Sequence, residues 1–238
     1  MKILALECSA GPSSCALVEN DKVLAHEYIH VPLTHSQTLL PMAQRVLRDT
    51  GTAVKDIDLF AVSAGPGSFT GVRIGVATIK GLSFGTDIPC AAVSTLAAMA
   101  HNAKGLPFDG VICCTMDARC MQVYTACFRC TQGVITRLTE DEAISVEELK
   151  TRLLALGEPI VLVGDGAEMC YKHLRETVPD IRLAPPAIRF QNAVGVADEA
   201  TIMAGNGQLT TDEKLLPIYL RLPQAERELR KKQTEQTI

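Results

Sequence analysis

Positive charge is not in surplus in this chain: 23 Lys and Arg face 27 Asp and Glu, leaving −4 over 238 residues. That balance gives no general attraction for nucleic acid, so contact with RNA needs a local patch or a partner protein. Long apolar runs are missing too; none nears the ~20 residues of a membrane span, which predicts a chain with no membrane partner. No export leader is evident. The opening MKILALECSA has one lysine and a short apolar run broken by Glu7, and it reads as a strand. Disulfide arithmetic fails as well, because the nine cysteines are odd in number and irregular in spacing. They read as reduced thiols of a cytoplasmic protein. Cys127 and Cys130, in CFRC, form the one metal-like pair, and no second pair stands at hairpin spacing. The adjacent Cys113 and Cys114 cannot serve, since neighbouring side chains on a strand point to opposite faces. Buried or edge thiols are expected. What the chain has is apolar mass, 47% against 21% charged residues, enough for two small domains or one large one.

Periodicity orders that mass. KILAL reads as a buried strand, and SSCALVE and KVLAHEYI read as a hairpin turning at Asn20 and Asp21. THSQTLLPMAQRVLRDTG reads as an amphipathic helix, with Thr34 and Gln37 as a capping box, Gly51 as its stop, and Pro41 either in a first turn or at a kink. Strand DLFAVS, a helix from about Thr70, strand IPCAAVS and helix TLAAMAHNA follow, giving the order βββαβαβα. The second half repeats the order more weakly. Its strands are GVICCTM, CMQVYTACF, GVITRLT, PIVLVG and IRLAP; its helices are SVEELKTRLLALG, with a Ser145–Glu148 cap, GAEMCYKHLRETV and NAVGVADEATIMAG. Two tandem α/β domains with mixed sheets are predicted, the pattern of actin-like ATPases and sugar kinases. The domains are expected at 1–104 and 105–221, split in the Gly- and Pro-rich HNAKGLPFDG, with a charged tail over 222–238.

SAGPGSFTGVRIG, residues 63–75, has the look of a phosphate loop. A P-loop needs Lys and then Ser or Thr after its second glycine, but Val72 follows Gly71. A dinucleotide fingerprint needs a glycine at 70, where Thr70 stands. The hairpin ECSAGPSS, where an actin-like ATPase holds phosphate, has one glycine followed by Pro12, which offers no N–H. A backbone anion nest remains as the route to a nucleotide. Gly71, Gly75, Gly81 and Gly85, with Thr78, share about a third of the next helix's circumference. Each glycine costs about 1 kcal/mol against alanine in a helix interior. A face without side chains suits close packing, on the chain's own sheet or against a helix of another chain.

HSQTLLPM, SAGPGSFTGVRIGVATIKGLSFGTDIP, VSTLAAMA, MDARCMQVY and PIYLR closely resemble TsaB proteins, also called YeaZ, from Met1 to about Arg221. The resemblance implies two actin-like, ribonuclease H-like (ASKHA) domains. It implies a role in making N6-threonylcarbamoyladenosine beside the tRNA anticodon, with no transferase activity of the chain's own. The implied partners are the homologous catalytic subunit TsaD and the ATPase TsaE, with a homodimer when alone, tRNA met only through the complex, and threonylcarbamoyl-AMP from an upstream synthase. No cofactor is implied, and ATP or ADP would sit only at the complex interface. The catalytic homologue carries two metal-binding histidines four apart in V-N-H-L-x-x-H; here VSTLAAM places Thr95 and Met99 there, neither with an imidazole. Peptidase activity is discounted on the same ground, since His101 has Ala97 and Gly105 at the partner positions.

A scaffold follows, with helices 35–50 and 70–86 pairing with the same two helices of a partner. Candidate interface residues are His35, Leu39, Leu40, Met42, Val46, Phe69, Gly71, Val72, Gly75, Thr78 and Ile79, with Ile74, divided between that bundle and the chain's own core. Gly65, Pro66, Gly67, Ser68, Thr70 and Arg73 form the structural loop. No catalytic residue and no metal ligand is assigned. His35 reads as a polar contact at a helix start, and Asp117 and Arg119 as structural charges. Arg227, Arg230, Lys231 and Lys232 read as a solvated tail or an RNA contact. The rival function is an actin-like ATPase or small-molecule kinase with its own nucleotide site.

Overall fold

A computed structural model describes residues 1–32 and 34–221; the tail expected over 222–238 lies outside the described residues. Three strands open the chain, β1 (Lys2–Glu7), β2 (Ser13–Glu19) and β3 (Lys22–Ile29). They are followed by α1 (His35–Asp49), β4 (Leu59–Gly65), α2 (Phe69–Ser83), β5 (Cys90–Ser94) and α3 (Thr95–His101), the βββαβαβα order read from the sequence. The first sheet runs β3-β2-β1-β4-β5, antiparallel across β1–β2 and β2–β3 and parallel across β1–β4 and β4–β5. The second half gives β6 (Gly110–Asp117), β7 (Gln122–Thr131), β8 (Val134–Arg137), β9 (Glu142–Ser145), α4 (Val146–Leu156), β10 (Ile160–Val163), α5 (Ala167–Leu174), β11 (Ile181–Leu183), α6 (Pro186–Arg189) and α7 (Ala193–Gly205). Its sheet runs β11-β10-β6-β7-β8, with β9 on β7. The fold is α/β with two mixed sheets in the ribonuclease H-like manner. Strand β9 and helix α6, each four residues long, are additions that periodicity did not show, since four residues carry no period.

Alternation along each strand decides which layer a residue joins. On β1, Leu4 and Leu6 meet Met42, Val46, Val76 and Ile79 of α1 and α2 on one face. Ile3 and Ala5 meet Val196, Ala197 and Ala200 of α7 on the other. Two corrections to the sequence reading follow. Helix α7 packs on the first sheet although it lies within 105–221, and Thr210 beyond it bridges Cys90 of β5, so the chain returns to the first lobe. The Thr34–Gln37 box also fails: the Thr34 side chain makes no cap, and the Gln37 amide instead donates to the Thr34 carbonyl at 2.9 Å. Helix α1 starts at His35 and carries Pro41 within it. The Ser145 cap does form, its hydroxyl accepting from the Glu148 amide at 3.1 Å.

Alternation also disposes of the cysteine pair. Cys127 packs with Cys113 in the layer under α4 and α5, and Cys130 packs with Cys114 on the opposite face under α3. Two thiols on opposite faces of a sheet cannot share an ion.

Candidate functional site

The carboxyl ends of the central strands β1, β4, β6 and β10 converge on a cleft of about 620 Å³ between the two sheets. Ser9, Gly67, Ser68 and Thr70 line its first-lobe wall, and Asp117, Arg119 and Asp165 its second. Below the Ser9 turn, Glu7 is fully buried. Its carboxylate accepts from the Ser9 amide at 2.5 Å, the Ser9 hydroxyl at 2.6 Å and the Ser63 hydroxyl. Burial pushes the Glu7 carboxyl above its ordinary range, against the pull of those hydrogen bonds. Asp165 opens to the cleft, and desolvation by the surrounding protein raises its carboxyl too, although the Gln191 side-chain amide donates to it at 2.7 Å. Asp117 accepts from the Arg119 amide at 2.7 Å, so this predicted structural pair is local and sits on the cleft rim.

The glycine loop serves the chain's own backbone. A β-carbon on Gly67 would crowd the Ser9 carbonyl, which accepts from the Ser68 amide at 2.6 Å. A β-carbon on Gly65, whose φ is +131°, would overlap the Ile218 carbonyl. Pro66 adds no N–H, Ser68 caps α2 by accepting from the Gly71 amide at 3.3 Å, and Thr70 is exposed on the cleft. Arg73 lies over the Phe69 ring at 3.9 Å and donates to the Tyr219 hydroxyl at 2.9 Å.

Helix α2 divides its glycines. A β-carbon on Gly71 would run into the Cys8 carbonyl, and one on Gly75 would stand 2.9 Å from a Val62 methyl and 3.1 Å from the Cys8 sulfur. These two positions belong to packing on β1 and β4, and their place in the expected interface is withdrawn. Leu39, Met42, Val46, Val72 and Ile79 are withdrawn with them, all 0–1% exposed in the core between α1, α2 and the first sheet. Pulling one such side chain out to meet a partner would forfeit about 1.5–3 kcal/mol of burial. Phe69 is also engaged at home, stacked on Tyr219 at 4.6 Å between ring centroids. His35 is half-buried, with Nδ1 paired to the Ser13 hydroxyl at 2.6 Å and Nε2 to the Ala10 carbonyl at 2.7 Å, the polar helix-start role read from the sequence. Thr78 is half-buried, its hydroxyl donating to the Ile74 carbonyl.

What stays outside is a different stripe. Arg73, Ala77, Gly81 and Phe84 recur every three to four residues along the exposed side of α2, Phe84 being 82% exposed at its C-cap. Nothing lies within 4 Å of where Gly81 would carry a β-carbon. Ser36, Leu40 and Gln44 give α1 a matching outer row, and the two helices touch. Sequence reasoning chose Leu40 and Thr78 from this region and passed over Ala77 and Phe84. The signal was available: both fall off the 72–76–79 apolar stripe, so they face away from whatever that stripe covers. The cleft residues Asp165 and Tyr219 had no such signal, because they are brought together only by the closing of the two sheets. Thr95 and Met99 are both buried, and the Thr95 hydroxyl has no hydrogen-bond partner among the described residues.

Residues 30–221 match the family model for TsaD, tRNA N6-adenosine threonylcarbamoyltransferase. The tRNA threonylcarbamoyladenosine biosynthesis protein TsaB of Bacillus subtilis is 30% identical, over 95% of this chain and 96% of its own length. The protein of the same name from Escherichia coli is 33% identical, over 93% and 95%. Among solved structures, YeaZ from Pseudomonas aeruginosa superposes with a TM-score of 0.78 at 27% identity, covering 92% of this chain and 99% of that one. Relatives that run nearly end to end, with a matching two-sheet fold, agree with the GPGSFTGVRIG loop: the chain belongs to the TsaB family.

Proposed function

We propose that this chain is the noncatalytic docking subunit of the machinery that places threonylcarbamoyl on N6 of the adenosine beside the tRNA anticodon, at position 37. The observation that carries the reading is the outer stripe of Leu40, Ala77, Gly81 and Phe84, a smooth apolar face on two touching helices. The partner is TsaD, which pairs through its own equivalents of α1 and α2. The match of this chain to the TsaD family model supports that pseudo-equivalence. Two related surfaces meeting about a twofold axis also give a homodimer when the chain is alone. The ATPase TsaE binds the heterodimer, ATP or ADP enters only at the complex interface, and tRNA is met only through the complex, all in the cytoplasm.

Glu7 supports the noncatalytic part. Its three hydrogen-bond donors all come from Ser9 and Ser63, which leaves the carboxylate closed to a metal–phosphate group. The rival, an independent ATPase or small-molecule kinase, rests on the cleft and the two aspartates that line it, Asp117 and Asp165. Against it stand Pro12 and Pro66, which remove amides from the two turns where phosphate would lie.

Reconstitution separates them. TsaD, TsaE, threonylcarbamoyl-AMP and unmodified tRNA, combined with and without this chain, are expected to give modified tRNA only with it. Equal product in its absence overturns the scaffold.

A further inference from the structure

The segment Leu215–Arg221 crosses the mouth of the cleft, and its attachments among the described residues are few. Leu215 is fully buried in the first-lobe core and anchors the crossing. Beyond it Leu216, Ile218 and Tyr219 are 63%, 42% and 41% exposed. From 216 to 221, the sole backbone–backbone hydrogen bond among the described residues is the Ile218 amide to the Ala64 carbonyl, at 2.6 Å. Side chains supply the rest: Tyr219 stacks on Phe69 and accepts from Arg73 on the first lobe, and Arg221 donates to the Ala118 carbonyl at 3.0 Å on the second. The first-lobe seat is built to receive this strand. Gly65 takes a φ of +131° and leaves free the space that the Ile218 carbonyl fills.

We propose that Leu215–Arg221 is a detachable latch, pinned at Leu215, that clips the two lobes together across the cleft and releases without unfolding either of them. A segment tied by one backbone hydrogen bond and a few rim contacts opens at a far lower free energy than the strands beneath it. Its two ends act on different lobes, so release frees both walls at once: the 64–73 turn that begins α2, and the β6–β7 hairpin carrying Asp117 and Arg119. The latch sets how wide the cleft stands and how rigidly the first turn of α2 is held. This inference needs no docking partner, and it is tested on the isolated chain, so its failure leaves the docking reading untouched.

Hydrogen–deuterium exchange on the full chain carrying Tyr219→Ala and Arg221→Ala reads the latch directly. Amides of residues 67–73 and 117–122 are expected to exchange about tenfold faster, with those of β1 and β4 unchanged. Unaltered exchange in either segment overturns the latch: the crossing is then a brace on one lobe, or on neither. Acceleration throughout β1 and β4 overturns it as well, since release would then be global unfolding. Should the double variant fail to fold, Arg221→Ala alone leaves the first-lobe contacts in place. It is expected to loosen 117–122 only, and no change there has the same meaning.

Discussion

The Cys8 carbonyl oxygen fills the space that a β-carbon on Gly71 would need. Helix α2 thereby begins almost in contact with the backbone at the end of β1, and the Cys8 thiol donates back to the Gly71 carbonyl at 3.1 Å. Because the obstructing atom belongs to backbone, Gly71→Ala must push α2 or the Ser9 turn aside. A loss of about 3 kcal/mol is expected on denaturant unfolding. Ten residues along the same helix the sign reverses. Gly81 has open space, so Gly81→Ala is expected to gain about 0.5–1 kcal/mol from helix propensity. If both substitutions cost the same, α2 does not sit on β1 as described.

The outer stripe makes a separate claim. Gly81→Arg with Phe84→Ser alters only exposed positions, so the unfolding midpoint should stay within about 0.5 kcal/mol of the parent. Pairing should not survive. Central interface positions carry 2 kcal/mol or more, which here means at least about a thirtyfold weaker complex with TsaD on sizing chromatography. A substitution at Gly75 on the same helix would confuse the two effects, because Val62 and Cys8 press on it from within.

These two positions show what was legible in the sequence. Periodicity placed Gly71, Gly75, Gly81 and Gly85 with Thr78 on one face of the helix, and the structure splits that face, with Gly71 and Gly75 buried and Gly81 and Gly85 exposed. Periodicity alone does not say whether a stripe faces the chain's own sheet or another chain. The apolar stripe of α1 was open to the same double reading, and Leu39, Met42 and Val46 went to the sheet. The element order βββαβαβα was legible because strands and helices differ in their apolar period. The return of α7 to the first sheet was not, since it joins Ile3 and Ala5 to Val196, Ala197 and Ala200, which stand nearly two hundred residues away. The cleft was the least legible part, being assembled from residues as distant as Ser9, Asp117, Asp165 and Tyr219.

Nucleotide binding by the isolated chain is a further point of decision. Two of the loop amides that could form an anion nest are committed locally, the Ser68 amide to Ser9 and the Gly71 amide to the Ser68 hydroxyl. Calorimetric titration of the chain alone with magnesium and ATP is expected to give no saturable heat at millimolar nucleotide. A stoichiometric isotherm would favour the kinase reading, and Asp117→Asn with Asp165→Asn would then show whether the cleft is its seat.

Glu7 links the site to stability through pH. Its carboxyl is raised in the folded chain by burial, and the unfolded chain keeps the ordinary value of about 4.3. Below that value both states hold the proton, and the residue favours neither. As pH rises above it, the unfolded chain releases its proton while the folded chain retains it, so stability falls until pH reaches the folded value. Glu7→Gln keeps the shape and an acceptor for Ser9, removes the titration, and leaves Ser63 able to accept from the new amide. The variant should therefore match the parent near pH 4 and unfold at a higher denaturant concentration near pH 7. A parent that gains stability relative to Glu7→Gln as pH rises would mean that the carboxylate is stabilised as the anion. The polar pocket of Ser9 and Ser63 would then outweigh burial, and Glu7 would regain the charge that a cation site needs.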